Sequence, residues 1–95
     1  MIEEGGLLET LMRKKVFDIL IYVNLHPGDY LSNIAKITNT TYAHCIRLMR
    51  KLVDLKLIRR AGSGRKVNIY LTHKGKEFAD VLQQLINLER KYTMR

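Results

Sequence analysis

The sequence predicts a small α+β domain in which helical segments are followed by a two-stranded hairpin and a long closing helix. Apolar residues recur at helical spacing through the first half, then alternate, and return to helical spacing near the end. With 95 residues, the chain has room for one domain, residues 1–95, built on one core. Its 46% hydrophobic and 27% charged residues are ordinary for a folded soluble protein.

The first predicted helix covers residues 7–25. Its apolar residues recur at near-helical spacing, and charged residues occupy its other faces. His26-Pro27-Gly28-Asp29 then predicts a turn, because proline fixes φ and glycine adopts backbone angles that other residues avoid.

The turn leads into a pair of helices. Tyr30-Leu31 is expected to form a very short strand, and Ser32 to cap a helix over residues 33–37. Asn39 tolerates the left-handed conformation, so residues 38–40 are expected to end that helix. Thr40 or Thr41 then caps the next helix, which runs to about Leu55. Its predicted inner face consists of Cys45, Leu48, Met49 and Leu52.

The period becomes alternating after this helix. Residues 57–60 and 66–71 are expected to form two short strands joined by a glycine-containing loop, 61–65. Thr72 is then positioned to cap a last helix over residues 73–92. The predicted order is helix, short strand, helix, helix, hairpin, helix.

Positive charge is concentrated in one stretch. The net charge is +8 and the pI is about 9.9. Residues 40–66 hold eight basic residues and one acidic residue, whereas residues 1–39 carry a net −1 and residues 67–95 a net +2. A solvated helix face would mix the two signs, so this segregation indicates a site for a polyanion.

Four residues carry a resemblance to the helix-turn-helix pattern: small Ala35, Asn39 at the turn, and apolar Cys45 and Leu48. With the following hairpin, the chain resembles winged helix-turn-helix proteins over about residues 8–92. Residues 70–75 are similar to the strand-to-helix junction of MarR-like regulators, and the likeness is greatest to small archaeal and archaeal-virus members. Ser63-Gly64 stands where many MarR-like wings have Asp-x-Arg, so the details of wing contact differ.

The resemblance implies duplex DNA binding, with the recognition helix in the major groove and the hairpin, or wing, on the minor groove or backbone. Arg47 is the best candidate for base reading because a guanidinium can hold guanine O6 and N7 together. Arg65 is the expected wing residue for groove insertion. Thr41, Tyr42 and His44 are expected to join Arg47 in base reading, and Arg50 and Lys51 to meet phosphates. The full expected DNA surface consists of Thr40, Thr41, Tyr42, His44, Arg47, Arg50, Lys51, Arg60, Ser63, Arg65 and Lys66.

The final helix is apolar on more than one face, which predicts a second role. One face can pack on its own domain while residues 75–92 join a second copy, giving a homodimer. Whether the first helix joins this interface is open. The expected interface residues are Phe78, Val81, Leu82, Leu85, Ile86, Leu88 and Tyr92.

Catalytic and metal-dependent functions find little support. The single cysteine, Cys45, allows no internal disulfide, which fits a reducing cytoplasm. His44 and Cys45 are adjacent on a helix and project about 100° apart, so they do not readily share an ion. Nucleophile motifs, phosphate loops and apolar runs of ~18–20 residues do not occur either. We therefore expect a non-enzymatic cytoplasmic protein without a metal or cofactor.

Three functions fit these observations. A sequence-specific transcriptional regulator accounts for the mixture of polar and basic residues on the recognition helix. A non-specific architectural DNA-binding protein needs only the charge. A winged-helix module for protein–protein contact does not need such charge on its recognition helix and wing.

Overall fold

The protein is described here by a computed structural model that covers residues 6–64 and 66–93. Over these ranges five helices and one antiparallel hairpin confirm the predicted α+β winged helix-turn-helix. The elements are α1 (Leu7–Leu11), α2 (Lys14–Leu25), α3 (Leu31–Ile37), α4 (Tyr42–Asp54), β1 (Ile58–Ser63), β2 (Lys66–Leu71) and α5 (His73–Thr93).

The core is built around α2. Val16, Ile19, Leu20 and Val23 are at most 1% exposed, and the helix packs against α1, α3, α5 and β2. The other elements complete this core with Leu11, Leu31, Ile34, Ala35, Cys45, Leu48, Met49, Leu52, Leu57, Ile58, Ile69, Ala79 and Leu82. Each large apolar side chain buried in this way stabilises the fold by roughly 1.5–3 kcal/mol.

The prediction of one continuous first helix is wrong. Arg13 has extended backbone angles, φ −70° and ψ 134°, and separates α1 from α2. The break leaves Leu11 and Val16 in the same core although they belong to different helices. No proline or glycine marks the break, and the spacing of apolar residues continues across it, so the sequence pattern did not reveal it.

The start of α3 also differs from the prediction. The helix begins at Leu31 with Tyr30 as its N-cap residue, so Ser32 lies within it and does not cap it. Tyr30 makes only an isolated bridge to Asn68, and the predicted Tyr30-Leu31 strand is wrong. The reason is tertiary: Gly28 N donates to Ile69 O and Ile69 N donates to Asp29 O, at 2.8 and 3.0 Å, which ties the α2–α3 turn to β2.

Asp29 organises this corner through its carboxylate. The Tyr22 hydroxyl and the Asn33 amide both donate to Oδ2, and the Tyr30 amide donates to Oδ1 at 2.7 Å. These hydrogen bonds, that of Tyr22 foremost, favour the ionised form and lower the pKa of Asp29 below its ordinary value. The same bond raises the pKa of Tyr22 because the neutral phenol is the donor. The carboxylate thus joins α2 to the start of α3.

Two left-handed residues end the helices that lead to and from α4. After α3, Asn39 has φ 55°, Asn39 N donates to Lys36 O, and Thr40 N donates to Ala35 O. After α4, Lys56 has φ 63°, and its neighbour Leu57 donates to Leu52 O. Both ends therefore form the Schellman arrangement, which satisfies carbonyls that a helix end leaves free.

The wing is longer and its turn tighter than predicted. β1 pairs with β2 from Ile58↔Leu71 to Ser63↔Lys66, so residues 61–63 belong to a strand and not to a loop. Gly62 permits this pairing, since a Cβ there would lie 2.4 Å from Lys66 O. Arg65 lies outside the described residues.

The junction between β2 and α5 locks the end of α4 in place. Thr72 caps α5 as predicted, its hydroxyl accepting from Gly75 N at 3.0 Å and donating to Lys56 O. Thr72 N donates to Leu57 O at 3.0 Å, and Lys74 Nζ donates to Leu55 O. Gly75 allows this approach because a Cβ there would lie 1.9 Å from Leu57 O.

We predict that Gly75→Ala lowers the free energy of unfolding by about 3 kcal/mol or more, because the added methyl must displace backbone atoms. Gly64→Ala is the control: it also adds one methyl, but nothing lies within 4 Å and only its φ of 63° is strained, which costs about 1–2 kcal/mol. Urea unfolding of the two variants checks this. Equal losses of stability would contradict the close approach at Gly75.

Candidate nucleic-acid interface

Helix α4 has two distinct faces. Cys45, Leu48, Met49 and Leu52 are buried, which confirms the predicted inner face. The opposite side is polar and basic. There Thr41, Tyr42, Arg47, Arg50 and Lys51 are exposed and His44 is half-buried. The core contacts of α4 therefore turn a continuous polar surface outward.

The turn before α4 places its first residues. Thr41 is the N-cap, and its hydroxyl accepts from His44 N at 3.2 Å. Thr40, which was expected to belong to the DNA surface, is buried instead. It is 9% exposed, and its hydroxyl lies 2.9 Å from the buried hydroxyl of Thr38. Thr38 Oγ1 also donates to Ile34 O. Thr40 thus supports the turn from inside.

Two outward side chains of α4 interact with each other. Arg47 Nη2 lies 3.3 Å from His44 Nδ1, three residues earlier on the same face. Since a guanidinium only donates hydrogen bonds, Arg47 is the donor of this contact and Nδ1 the acceptor. Tyr42 is 48% exposed, so its ring is not withdrawn into the core. The base-reading candidates Thr41, Tyr42, His44 and Arg47 all lie within the first two turns of α4.

The wing presents a second basic surface. Arg60, Ser63 and Lys66 are exposed, the last two as a strand pair beside Gly64. The guanidinium carbon of Arg59 lies 4.4 Å from the centre of the ring of Tyr70, its cross-strand partner. That cation–π contact engages Arg59 within the domain.

The residues expected to form a dimer interface divide into two sets. Leu82 is buried in its own domain, and Phe78 and Ile86 are half-buried. Val81, Leu85, Leu88 and Tyr92 are 50–72% exposed. These four recur at intervals of four, three and four residues, so they form one apolar stripe along α5, which we call the α5 stripe.

A groove lies beside the stripe. Phe17 of α2 and residues between Leu85 and Thr93 of α5 line a space of about 500 Å³. Phe17 was not among the functional residues expected from the sequence. Leu8 and Met12 are also exposed, at 63% and 51%.

Lys15 is a second residue that sequence reasoning missed. It projects from α2 and donates from Nζ to Thr38 O at 2.9 Å and Asn39 O at 2.8 Å. Thr38 and Asn39 follow Lys15 by 23 and 24 positions, and contacts over such a separation leave no local signal in the sequence.

Cys45 does not have the environment of a reactive thiol. Its side chain is inaccessible, and burial raises the pKa to about 11, so the thiol stays protonated near neutral pH. Among residues 6–64 and 66–93, histidine, cysteine and carboxylate side chains nowhere form a group suited to a metal ion. None of the helices in that part of the chain combines the length and apolarity needed to cross a bilayer.

Comparison with solved structures places this geometry in a known fold. Neither a protein-family model nor a curated protein matches the sequence. A protein of Archaeoglobus fulgidus superposes with a TM-score of 0.74 at 24% identity, over 86% of this chain and 94% of that chain. A MarR family transcriptional regulator from Silicibacter pomeroyi superposes at 0.78 with 17% identity, over 88% of this chain and 61% of that one.

The third comparison is MepR, a transcription regulator of the Staphylococcus aureus multidrug efflux pump MepA. It superposes with a TM-score of 0.73 at 26% identity, over 88% of this chain and 65% of MepR. The chain thus spans less than two thirds of the length of these two bacterial regulators, and about the whole length of the archaeal protein. The chain has the winged-helix fold of MarR-family regulators, as its sequence resemblance predicts.

Proposed function

We propose that the protein is a sequence-specific, double-stranded-DNA-binding transcriptional regulator that acts as a homodimer in the cytoplasm, without catalytic activity or cofactor. The observation that carries the proposal is the outward face of α4, a polar and basic helix surface held clear of the core beside a basic wing. The MarR family transcriptional regulator from Silicibacter pomeroyi and the transcription regulator MepR, which share this fold, support the same assignment.

The chemistry of α4 suits base reading in the major groove. A helix fits this groove, where each base pair presents a distinct pattern of donors and acceptors. Arg47 brings a guanidinium that suits guanine, and the bond from its Nη2 to His44 Nδ1 limits its freedom before binding. Thr41 and Tyr42 add hydroxyls near the start of the helix, where residues of this motif approach base edges.

Phosphate contacts come from the edges of this surface. Arg50 and Lys51 lie further along α4, and Arg60 and Lys66 lie on the wing, all of them exposed. Arg65 belongs to the proposed wing set by its position in the sequence. Such contacts position the protein without reading sequence, and two copies would neutralise on the order of 6–10 phosphates. Thr40 is left out of the contacting set because its hydroxyl is engaged inside the turn.

The architectural and protein-module alternatives fit less well. An architectural protein needs phosphate contacts alone, and the two hydroxyls and the His44–Arg47 pair on α4 then have no role. A protein-contact module does not require a net +7 in residues 40–66. The architectural alternative predicts a DNA affinity that does not depend on base sequence, whereas the proposal predicts one that does. The protein-module alternative predicts no salt-dependent binding to DNA, whereas the proposal predicts an affinity that falls as salt rises.

We predict that Arg47→Ala weakens binding to the preferred duplex by ~1–3 kcal/mol, because a guanine edge loses its partner. Binding to a scrambled duplex of equal length should change much less. Arg50→Ala is the matched control: it removes the same charge from the same helix, and it should weaken both duplexes similarly. Competition binding at one fixed salt concentration measures the affinities of the wild type and both variants for the two duplexes. Equal losses on both duplexes with Arg47→Ala would contradict its role in base reading.

The proposed dimer forms through α5. The α5 stripe leaves four large apolar side chains exposed at coiled-coil spacing, and exposed apolar surface of this kind marks a contact site. Leu8 and Met12 supply further exposed apolar surface from α1. A chain of 95 residues gains stability from covering such surface with a second copy.

We predict that Leu85→Lys converts the dimer to monomer at micromolar concentration, because it places a charge in the middle of the α5 stripe. Asn87→Lys is the control, since it adds the same charge to an exposed position on another face of α5. Sedimentation equilibrium of the wild type and both variants measures the change. A wild-type protein that is monomeric and still binds DNA tightly would refute the dimer.

A further inference from the structure

A lysine of another helix contacts the turn before α4. Lys15 Nζ donates to Thr38 O at 2.9 Å and to Asn39 O at 2.8 Å. The lysine is half-buried, and it lines a groove together with other residues of α2, residues of the turn, and Ile86 of α5. Its ammonium group thus binds the backbone of the helix-turn-helix.

The backbone amides of the turn donate to other carbonyls than these two. The Schellman arrangement uses Ala35 O and Lys36 O, and Thr38 N and Oγ1 take Ile34 O. Thr38 O receives one further bond, from Thr40 Oγ1 at the longer distance of 3.3 Å. An ammonium group can donate to two acceptors at once, and a positive charge is favoured at the C-terminal end of a helix.

The position of the turn decides where α4 begins. Asn39, at φ 55°, holds a left-handed conformation that few residues other than glycine and asparagine adopt, and the N-cap of α4, Thr41, follows two residues later. A contact that fixes the carbonyls of Thr38 and Asn39 therefore fixes the first turn of α4. That turn carries Tyr42 and His44 of the proposed base-reading set.

We propose that Lys15 is a positioning residue for DNA recognition: it holds the turn and so orients the first turn of α4, without contacting DNA itself. This inference rests on the proposed function. The neighbouring Lys14 is the contrast that the chain provides, since its side chain is 83% exposed and pairs with Asp18 at 2.9 Å. The two lysines carry the same charge, but only Lys15 reaches the turn.

The experiment compares Lys15→Met with Lys14→Met, which remove the same charge from adjacent residues. Lys15→Met should weaken binding to the preferred duplex about tenfold more than Lys14→Met, the loss expected for hydrogen bonds to a charged group. Lys15→Met should change the affinity for a scrambled duplex only slightly. The slope of the logarithm of its DNA association constant against the logarithm of salt concentration should equal that of the wild type. Lys15→Arg, which keeps charge and donors, should restore most of the affinity.

Amide hydrogen exchange supplies a readout that is independent of DNA. The amides of residues 40–44 should exchange faster in Lys15→Met than in wild type or Lys14→Met. If circular dichroism shows that Lys15→Met has lost its helices, Lys15→Gln, a neutral donor of shorter reach, replaces it in both measurements.

Three results would overturn the proposal. They are equal effects of Lys15→Met and Lys14→Met on affinity, unchanged exchange at residues 40–44, and a salt slope reduced by about 1, which marks a lost phosphate contact. If the wild type binds no DNA, the proposed function fails, while the exchange data still decide whether Lys15 holds the turn.

Discussion

The left-handed turn at Asn39 is the constraint on which the proposed recognition surface depends. It ends α3 in a Schellman arrangement, and within two residues the chain reaches the N-cap of α4. The threonine hydroxyls inside the turn and Lys15 outside it satisfy the polar groups that such a sharp reversal leaves over. Once the start of α4 is fixed, its four buried residues fix the rotation of the helix about its axis, and the polar side therefore faces outward.

The rest of the fold holds this element against the wing. The α2–α3 corner bonds to β2 through Gly28 and Asp29, and the β2–α5 junction bonds to residues 55–57 at the end of α4. Both ends of the helix-turn-helix are therefore tied to the same hairpin. In the proposed function, a helix-turn-helix and a wing connected in this way would approach DNA as one unit, which would limit the entropy lost on binding.

The sequence predicted those features that depend on local chemistry. The inner face of α4 followed from helical spacing, the turn at Asn39 from the tolerance of asparagine for positive φ, and the cap at Thr72 from its hydroxyl. Features set by distant contacts were missed. The break at Arg13, the start of α3 at Leu31 and the extension of β1 to Ser63 each lack a local signal, because packing or pairing with a distant segment decides them.

The candidate site shows the same division. Arg47, Arg50 and Lys51 could be assigned to the outer face from spacing alone, and the structure exposes all three. Thr40 could not be distinguished from Thr41, because both are threonines before a helix and only the tertiary fold turns one of them inward. Lys15 was indistinguishable from Lys14 for the same reason.

Selection of bound duplexes from a random DNA pool tests the central claim most directly. A two-fold dimer that reads bases with α4 should enrich a palindromic sequence, with half-sites separated by about one helical turn, ~34 Å, or a multiple of it. DNA binding without enrichment of any sequence would contradict base reading and support an architectural role. Failure to retain DNA at low salt would contradict the nucleic-acid interface itself.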